Sequence, residues 1–192
     1  MKRLSVLILL FTLAACSTSK APMKQFYMLN SHTPLISASP KEVKRVVVVD
    51  RILLADYLKR PNLVMQIEGN QLYYSDIDLW AENLQTGIHN TLLAWLNDKA
   101  TETRFIAYDS PDAPRNLERL VISIKRFMPT DQGKVITSGQ YWHVNKAQTD
   151  GLTSQESFAF TSELSQQGYS HSVTLLAEQL LKLSNQIIND IE

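Results

Sequence analysis

Little in this 192-residue sequence invites covalent or metal chemistry. Cys16 is its one cysteine, so no internal disulfide can form. The four histidines, His32, His89, His143 and His171, stand alone. None has a second histidine or a cysteine at the short spacing of zinc, haem or iron–sulfur sites, so a metal centre would need ligands gathered from distant segments. The six glycines are scattered, and neither a glycine-rich phosphate loop nor a G-x-S-x-G elbow is present. An excess of one charge is also missing, with 19 basic against 19 acidic side chains. That balance gives no field to gather nucleic acid. No apolar run approaches the roughly 20 residues that cross a bilayer as a helix, and no heptad repeat is long enough for a coiled coil. The expectation is a chain with no catalytic residue, no cofactor and no metal.

What is present begins at the amino terminus. Met1-Lys2-Arg3 is a short positive stretch, residues 4–13 are apolar except for Ser5 and Thr12, and Ala14-Ala15 supplies small side chains. This is the pattern of an export signal, too short to remain as an anchor. Leu13-Ala14-Ala15-Cys16 resembles the lipobox of bacterial lipoproteins, in which the thiol takes diacylglycerol before the preceding peptide bond is cut. The expected organisation is a signal peptide at 1–15, a lipidated tether at 16–24 and one domain at 25–192. Acyl chains hold a protein to a membrane by roughly 0.8 kcal/mol per buried CH₂, and two or more chains anchor stably. Ser17 follows the cysteine; by resemblance to Gram-negative lipoproteins, serine there fits the inner leaflet of the outer membrane, with the domain facing the periplasm. Losing Lys2 and Arg3 with the signal leaves 17 basic against 19 acidic side chains.

Beyond the small, polar tether, residues 25–29 (QFYML) read as a short strand and residues 30–40, with two prolines, as a loop. Four successive valines, Val46 to Val49, suit a strand covered on both faces. Residues 63–67 and 71–74 read as strands around a Gly69-Asn70 turn. From Glu82 to Lys99 the period changes: Leu84, Ile88, Leu92, Trp95 and Leu96 recur at helical spacing. Strand patterns return at 103–108, 117–127, 134–145 and 154–161. A final helix from about Ser170 carries Val173, Leu176, Leu180, Ile187 and Ile191 on one stripe. These elements predict an α+β fold, a two-layer sandwich in which a mainly antiparallel sheet packs with two amphipathic helices.

Two polar features need a reading. Asp76, Asp78 and Glu82 precede the first helix; they are candidates for calcium or acid–base work, although acids near a helix start are expected on electrostatic grounds alone. His89 lies beside the apolar stripe and is expected at the core boundary. Among the aromatic residues, Trp80 and Trp95 are expected in the core. Tyr73, Tyr74, Tyr141 and Trp142 are the candidate partner contacts, because aromatic side chains dominate interface energetics. Tyr141 and Trp142 are adjacent in a strand, so they point to opposite faces and one should leave the core.

The segments FYML, ADYLKRPNLV, LYYSDIDLWAENL, GKVITSGQYW and YSHSVTLLAEQL, in that order behind a lipobox, resemble the PqiC-type lipoproteins, auxiliary components of ABC-type or MCE-type transport systems. The resemblance implies a non-enzymatic lipoprotein at the outer membrane. It also implies contact with a periplasm-spanning MCE-domain (PqiB-like) partner and a link to lipid movement and envelope integrity. Service to a related Mla- or Mce-like ABC transporter, or direct carriage of a lipid, are the alternatives. A ring-like homo-oligomer around the end of a conduit is compatible with such a role.

Overall fold

The computed structural model describes residues 22–29, 42–111, 113, 118–145 and 153–192. The signal peptide, Cys16, His32, the whole 30–40 loop and most of the 146–153 connection lie outside the described residues. In chain order the elements are β1 (Gln25–Tyr27), β2 (Arg45–Val49), β3 (Leu53–Leu54), a 3-10 turn (Asp56–Leu58), β4 (Asn62–Ile67) and β5 (Gln71–Trp80). They continue with α1 (Leu84–Lys99), β6 (Thr103–Ala107), β7 (Glu118–Pro129), β8 (Lys134–Val144), β9 (Thr153–Glu163) and α2 (Tyr169–Ile191).

The strands form two sheets. The large one runs β6-β2-β7-β8-β9 with β3 added beside β7; the small one runs β1-β5-β4. The long strands β7, β8 and β9 pair antiparallel, as do β4 and β5. The short strands β1, β2 and β3 enter parallel to their neighbours. α1 and α2 pack against each other, α1 also touching β6 and α2 touching β7, β8 and β9. The protein is thus an α+β sandwich of helices on predominantly antiparallel sheet, built around one hydrophobic cluster.

Local chemistry accounts for the layers. In β2, Val47, Val48 and Val49 are all buried, so the run of β-branched residues is covered on both faces. In β8, Val135, Thr137, Gly139 and Tyr141 are buried, while Ile136, Ser138, Gln140 and Trp142 between them are half-buried, the period of two that one covered face requires. α1 buries Leu84, Ile88, Leu92 and Leu96, and the Asn83 side chain caps it by accepting from the Gln85 amide at 3.0 Å. α2 buries Val173, Leu176, Leu180, Leu183, Ile187 and Ile191. It is also fixed by a polar link, in which the fully buried Gln179 donates to the Val135 carbonyl at 3.0 Å and to Ser162 Oγ at 2.9 Å.

Two glycines are required by geometry. Glu68 and Gly69 both take positive φ in the β4–β5 turn, +47° and +79°, matching the expected turn there. At Gly139 a β-carbon would lie 2.0 Å from the Ser123 carbonyl oxygen and 2.8 Å from the Phe158 ring. β7 bulges between Ile124 and Arg126 beside this glycine, and the missing side chain lets the backbone of β7 and the ring from β9 close over it.

β5 differs from expectation. It continues to Trp80, but its pairing with β4 jumps from Val64↔Tyr74 to Asn62↔Leu79. The intervening residues are held by side chains: Asn62 Nδ2 donates to the Ser75 carbonyl at 2.8 Å, and Ser75 Oγ accepts from the Asp78 amide at 3.0 Å. Asp76 and Asp78 therefore belong to a strand, and the first turn of α1 contains no acidic residue. Only Glu82, just before the Asn83 cap and with its carboxylate beside Gly87, stays near the helix start as expected.

Candidate functional site

The four aromatic candidates separate by environment. Tyr73 on β5 is 46 % exposed. Its neighbour Tyr74 is half-buried and occupied: its hydroxyl donates to the Tyr57 carbonyl at 3.2 Å and the Arg60 guanidinium lies 4.6 Å from its ring centre. Tyr141 is only 1 % exposed, so it leaves the set of contact residues. Its ring joins the core, and its hydroxyl donates to Asp190 while accepting from Gln186 at 3.3 Å. Burial, reinforced by that hydrogen bond to a carboxylate, holds the phenol far above its ordinary range. Trp142, on the opposite face of β8, is half-buried between Val121 and Gln155. The adjacent pair does divide between the faces.

The other aromatic expectations divide as well. Trp80 is in the core, 6.3 Å from the Phe127 ring. Trp95 is not: it is half-buried outside the main cluster with Lys99 Nζ 5.6 Å above its ring. A tryptophan at the margin of a helical stripe can rest its face on a lysine stem and cation, which periodicity cannot distinguish from burial. His89, expected at the boundary, is buried.

The sequence reading missed Met23, Phe26, Met28 and Leu72. Among the described residues seven large apolar side chains are exposed, and five of them, these four and Tyr73, lie on or beside the small sheet. Phe26 is 63 % exposed on the edge strand β1. The available signal was the unbroken QFYML: on a strand, alternate residues face opposite ways, and an edge strand covered on one side must leave every second apolar residue outside.

Behind this surface lies a polar cluster that fixes β1. Tyr27 Oη donates to Asp78 at 2.9 Å, and Ser75 Oγ donates to the other oxygen of the same carboxylate at 2.7 Å. Burial, then the bond to Asp78, pushes the Tyr27 phenol up to about 12. Tyr169 at the start of α2 is likewise raised to about 12, by burial first and then by the Asp78 charge. Asp78 is thus engaged in joining β1 to β5, and Asp76 is exposed. Among the described residues no three His, Cys, Asp or Glu side chains gather as metal ligands. None of the described helices is long and apolar enough to cross a membrane.

The described residues form a layered α+β module whose small sheet buries Leu63, Val64 and Trp80 in the core and leaves Phe26, Leu72 and Tyr73 exposed. The chain is a member of the ABC-type transport auxiliary lipoprotein component family, whose model matches residues 27–188; as such it is a non-catalytic auxiliary component of transport. It is 27% identical over 177 residues to the intermembrane transport lipoprotein PqiC of Escherichia coli strain K12, covering 92% of this chain and 90% of that protein. The similarity to the protein of the same name from Shigella flexneri has the same extent. A crystal structure of an uncharacterized protein superposes with TM-score 0.74 at 22% identity, covering 89% of this chain and all of that one. A Xanthomonas campestris protein follows at TM-score 0.65 and 12% identity, with 85% and 92% coverage. These two likenesses are of fold.

Proposed function

We propose that this protein is a lipid-anchored adaptor at the periplasmic face of the outer membrane, docking the periplasm-spanning MCE-domain protein of an intermembrane transport system of the Pqi kind. The observation that carries the reading is the uncovered small sheet beside the tether. An extended chain spans at most about 3.3–3.6 Å per residue, so nine residues from an acylated Cys16 to Gln25 keep β1 within about 30 Å of the lipid surface. Confinement to that surface raises the effective concentration for a partner reaching the same membrane. Tyr73 on β5 and Phe26 on β1 are the candidate contacts, each tested by itself, and Trp142 is a secondary one. Tyr74 is a support residue of the same sheet.

A photo-crosslinking amino acid at Tyr73 or Phe26, used in cells, tests the docking. Capture of an MCE-domain protein is the expected outcome. Adducts to lipid alone would replace the adaptor with a carrier, and to an ABC-transporter subunit without an MCE domain would move the protein to another system of the family. Adducts between copies would report self-association. The tether is tested separately: Cys16→Ala should release folded protein from the membrane fraction, and a tightly bound variant would remove the lipid anchor from the proposal. A carrier gains little from the cavity at the ends of β2 and β6, whose lining of arginine, histidine, asparagine and glutamine does not suit acyl chains.

A further inference from the structure

That cavity, of about 390 Å³, lies within the roughly 300–1,000 Å³ range of small-ligand sites. β2 runs parallel to β6 on one side and to β7 on the other, and the cavity opens beyond the carboxyl ends of β2 and β6. Crevices beyond such parallel strand ends are where open α/β sheets bind ligands. Three elements converge there: Arg51 after β2, Tyr108 and Asp109 after β6, and Thr86 and His89 from α1.

The side chains form a braced arrangement. His89, only 6 % exposed, stands edge-on to Tyr108, with ring centres 5.6 Å apart and planes at 81°. Tyr108 in turn holds Arg51, accepting from Nη2 at 3.2 Å while the guanidinium carbon sits 5.3 Å from its ring centre. Arg119, by contrast, is neutralised by Asp50. Among the described residues Arg51 has no carboxylate at salt-bridge distance, and Asp109, in the same cavity, has no cation. Among the described lining residues the cavity therefore holds one charge of each sign, with Arg51 held by Tyr108. The first turn of α1 adds amide groups on the Thr86 side, with the Gln85 amide taken by Asn83 and the Glu82 carboxylate set beside Gly87.

We propose that this cavity binds a small zwitterionic phosphate ester of the phosphoethanolamine type, its phosphate against Arg51 and the first turn of α1 and its ammonium against Asp109. A guanidinium fork suits phosphate oxygens, and an acceptor-only carboxylate suits an ammonium. Lipid headgroups and soluble esters share this chemistry. The site is independent of the adaptor reading, since it lies outside the small sheet and needs neither an acyl anchor nor an MCE partner.

The test is calorimetric titration of the intact protein in maltoside micelles, at constant ionic strength, with glycerophosphoethanolamine and with inorganic phosphate. Saturable binding of the ester is expected, weakened at least about tenfold by Arg51→Gln, the scale of one charge-assisted hydrogen bond. Asp109→Asn should weaken the ester but not inorganic phosphate. Arg104→Gln, an exposed arginine on β6 outside the cavity, should change neither. Unchanged circular dichroism midpoints for these variants separate lost binding from lost folding. Phosphatidylethanolamine doped into the micelles should compete if the source is a lipid and leave the titration unchanged if it is a soluble ester. Absence of binding, indifference to Arg51→Gln, or equal binding of phosphate and ester with Asp109→Asn silent would each overturn the zwitterionic site.

Discussion

The two sheets treat their outer surfaces differently. The large sheet ends in β9, an edge strand of 11 residues whose outward positions are Gln155, Ser157, Ala159, Thr161 and Glu163. A long free edge of that kind is a template for unwanted pairing, and polar, charged residues along it discourage association. The small sheet ends in β1, three residues long, and places Phe26 outward with Met23 and Met28 beside it. Single exposed apolar residues mean little, but five of the seven among the described residues lie on or beside this one small sheet, on both of its faces, a concentration the large sheet does not show. In the proposed function the large sheet with its helices is the body of the molecule, and the small sheet supplies its contacts.

The largest effect is expected in the body. Ile122 is fully buried on β7, opposite Tyr141 on β8. Ile122→Asp buries a carboxylate without a partner and should cost more than about 4 kcal/mol, a large part of the roughly 5–15 kcal/mol that holds a domain folded. Leu180→Asp on α2 should match it. Loss of the cooperative thermal transition checks both; an unchanged melting temperature would remove the residue from the core. Gly139→Ala should be milder, about 1–3 kcal/mol, because its β-carbon meets the backbone of β7, which must shift. Chemical denaturation measures the difference.

A third test reads the junction between the start of the large sheet and the end of α2. The Glu192 carboxylate accepts from the amides of Thr101, Glu102 and Thr103 at 3.1, 2.9 and 2.9 Å and from Thr101 Oγ1 at 2.9 Å. Burial alone would raise this acid, but those hydrogen bonds outweigh it and bring the carboxyl down to about 2. The folded value lies below the ordinary 4.5, so the stabilisation is complete above about 4.5 and is lost as pH falls toward about 2. Solvent screening at this exposed position keeps the effect modest. Glu192→Gln should lower the melting temperature at neutral pH, and the gap from the parent should narrow between those two pH values. A gap independent of pH would mean that the carboxylate is not the group at work.

The body was far more legible than the face, for a physical reason. Val46 to Val49, the alternation in β7 and β8 and the stripe of α2 are repeated signals in which burial and period agree. Trp95 broke that agreement, since a half-covered indole beneath Lys99 has the same spacing as a buried one. Tyr141 and Trp142 could be divided between faces but not assigned to them, because assignment depends on which side of β8 receives α2. The parallel entry of β1, β2 and β3 was hidden, since strand direction follows from crossovers rather than composition. The short strand at Phe26 was legible, but its exposure was not, because composition does not tell an edge strand with one face open from a covered one. Arg51, Tyr108 and Asp109 meet only once β2 and β6 are aligned, and no local motif marks them.

The smallest stability effect should come from the face, where it decides most. Phe26→Ser and Tyr73→Ser remove side chains that the fold leaves 63 % and 46 % exposed, so the first should alter stability by no more than about 0.5 kcal/mol and the second by little more. The Tyr27–Asp78 hydrogen bond still ties β1 to β5 in both variants, because Tyr27 points to the other side of the strand from Phe26. Partner capture in cells should nevertheless fall sharply, since aromatic anchors at the centre of an interface carry a disproportionate share of its energy. If instead Phe26→Ser lowers the melting temperature as Gly139→Ala does, the small sheet is a packed part of the body and not a contact face. If stability and capture are both unchanged, the apolar surface is real but the partner binds elsewhere, with Trp142 on the outer side of β8 the next position to replace.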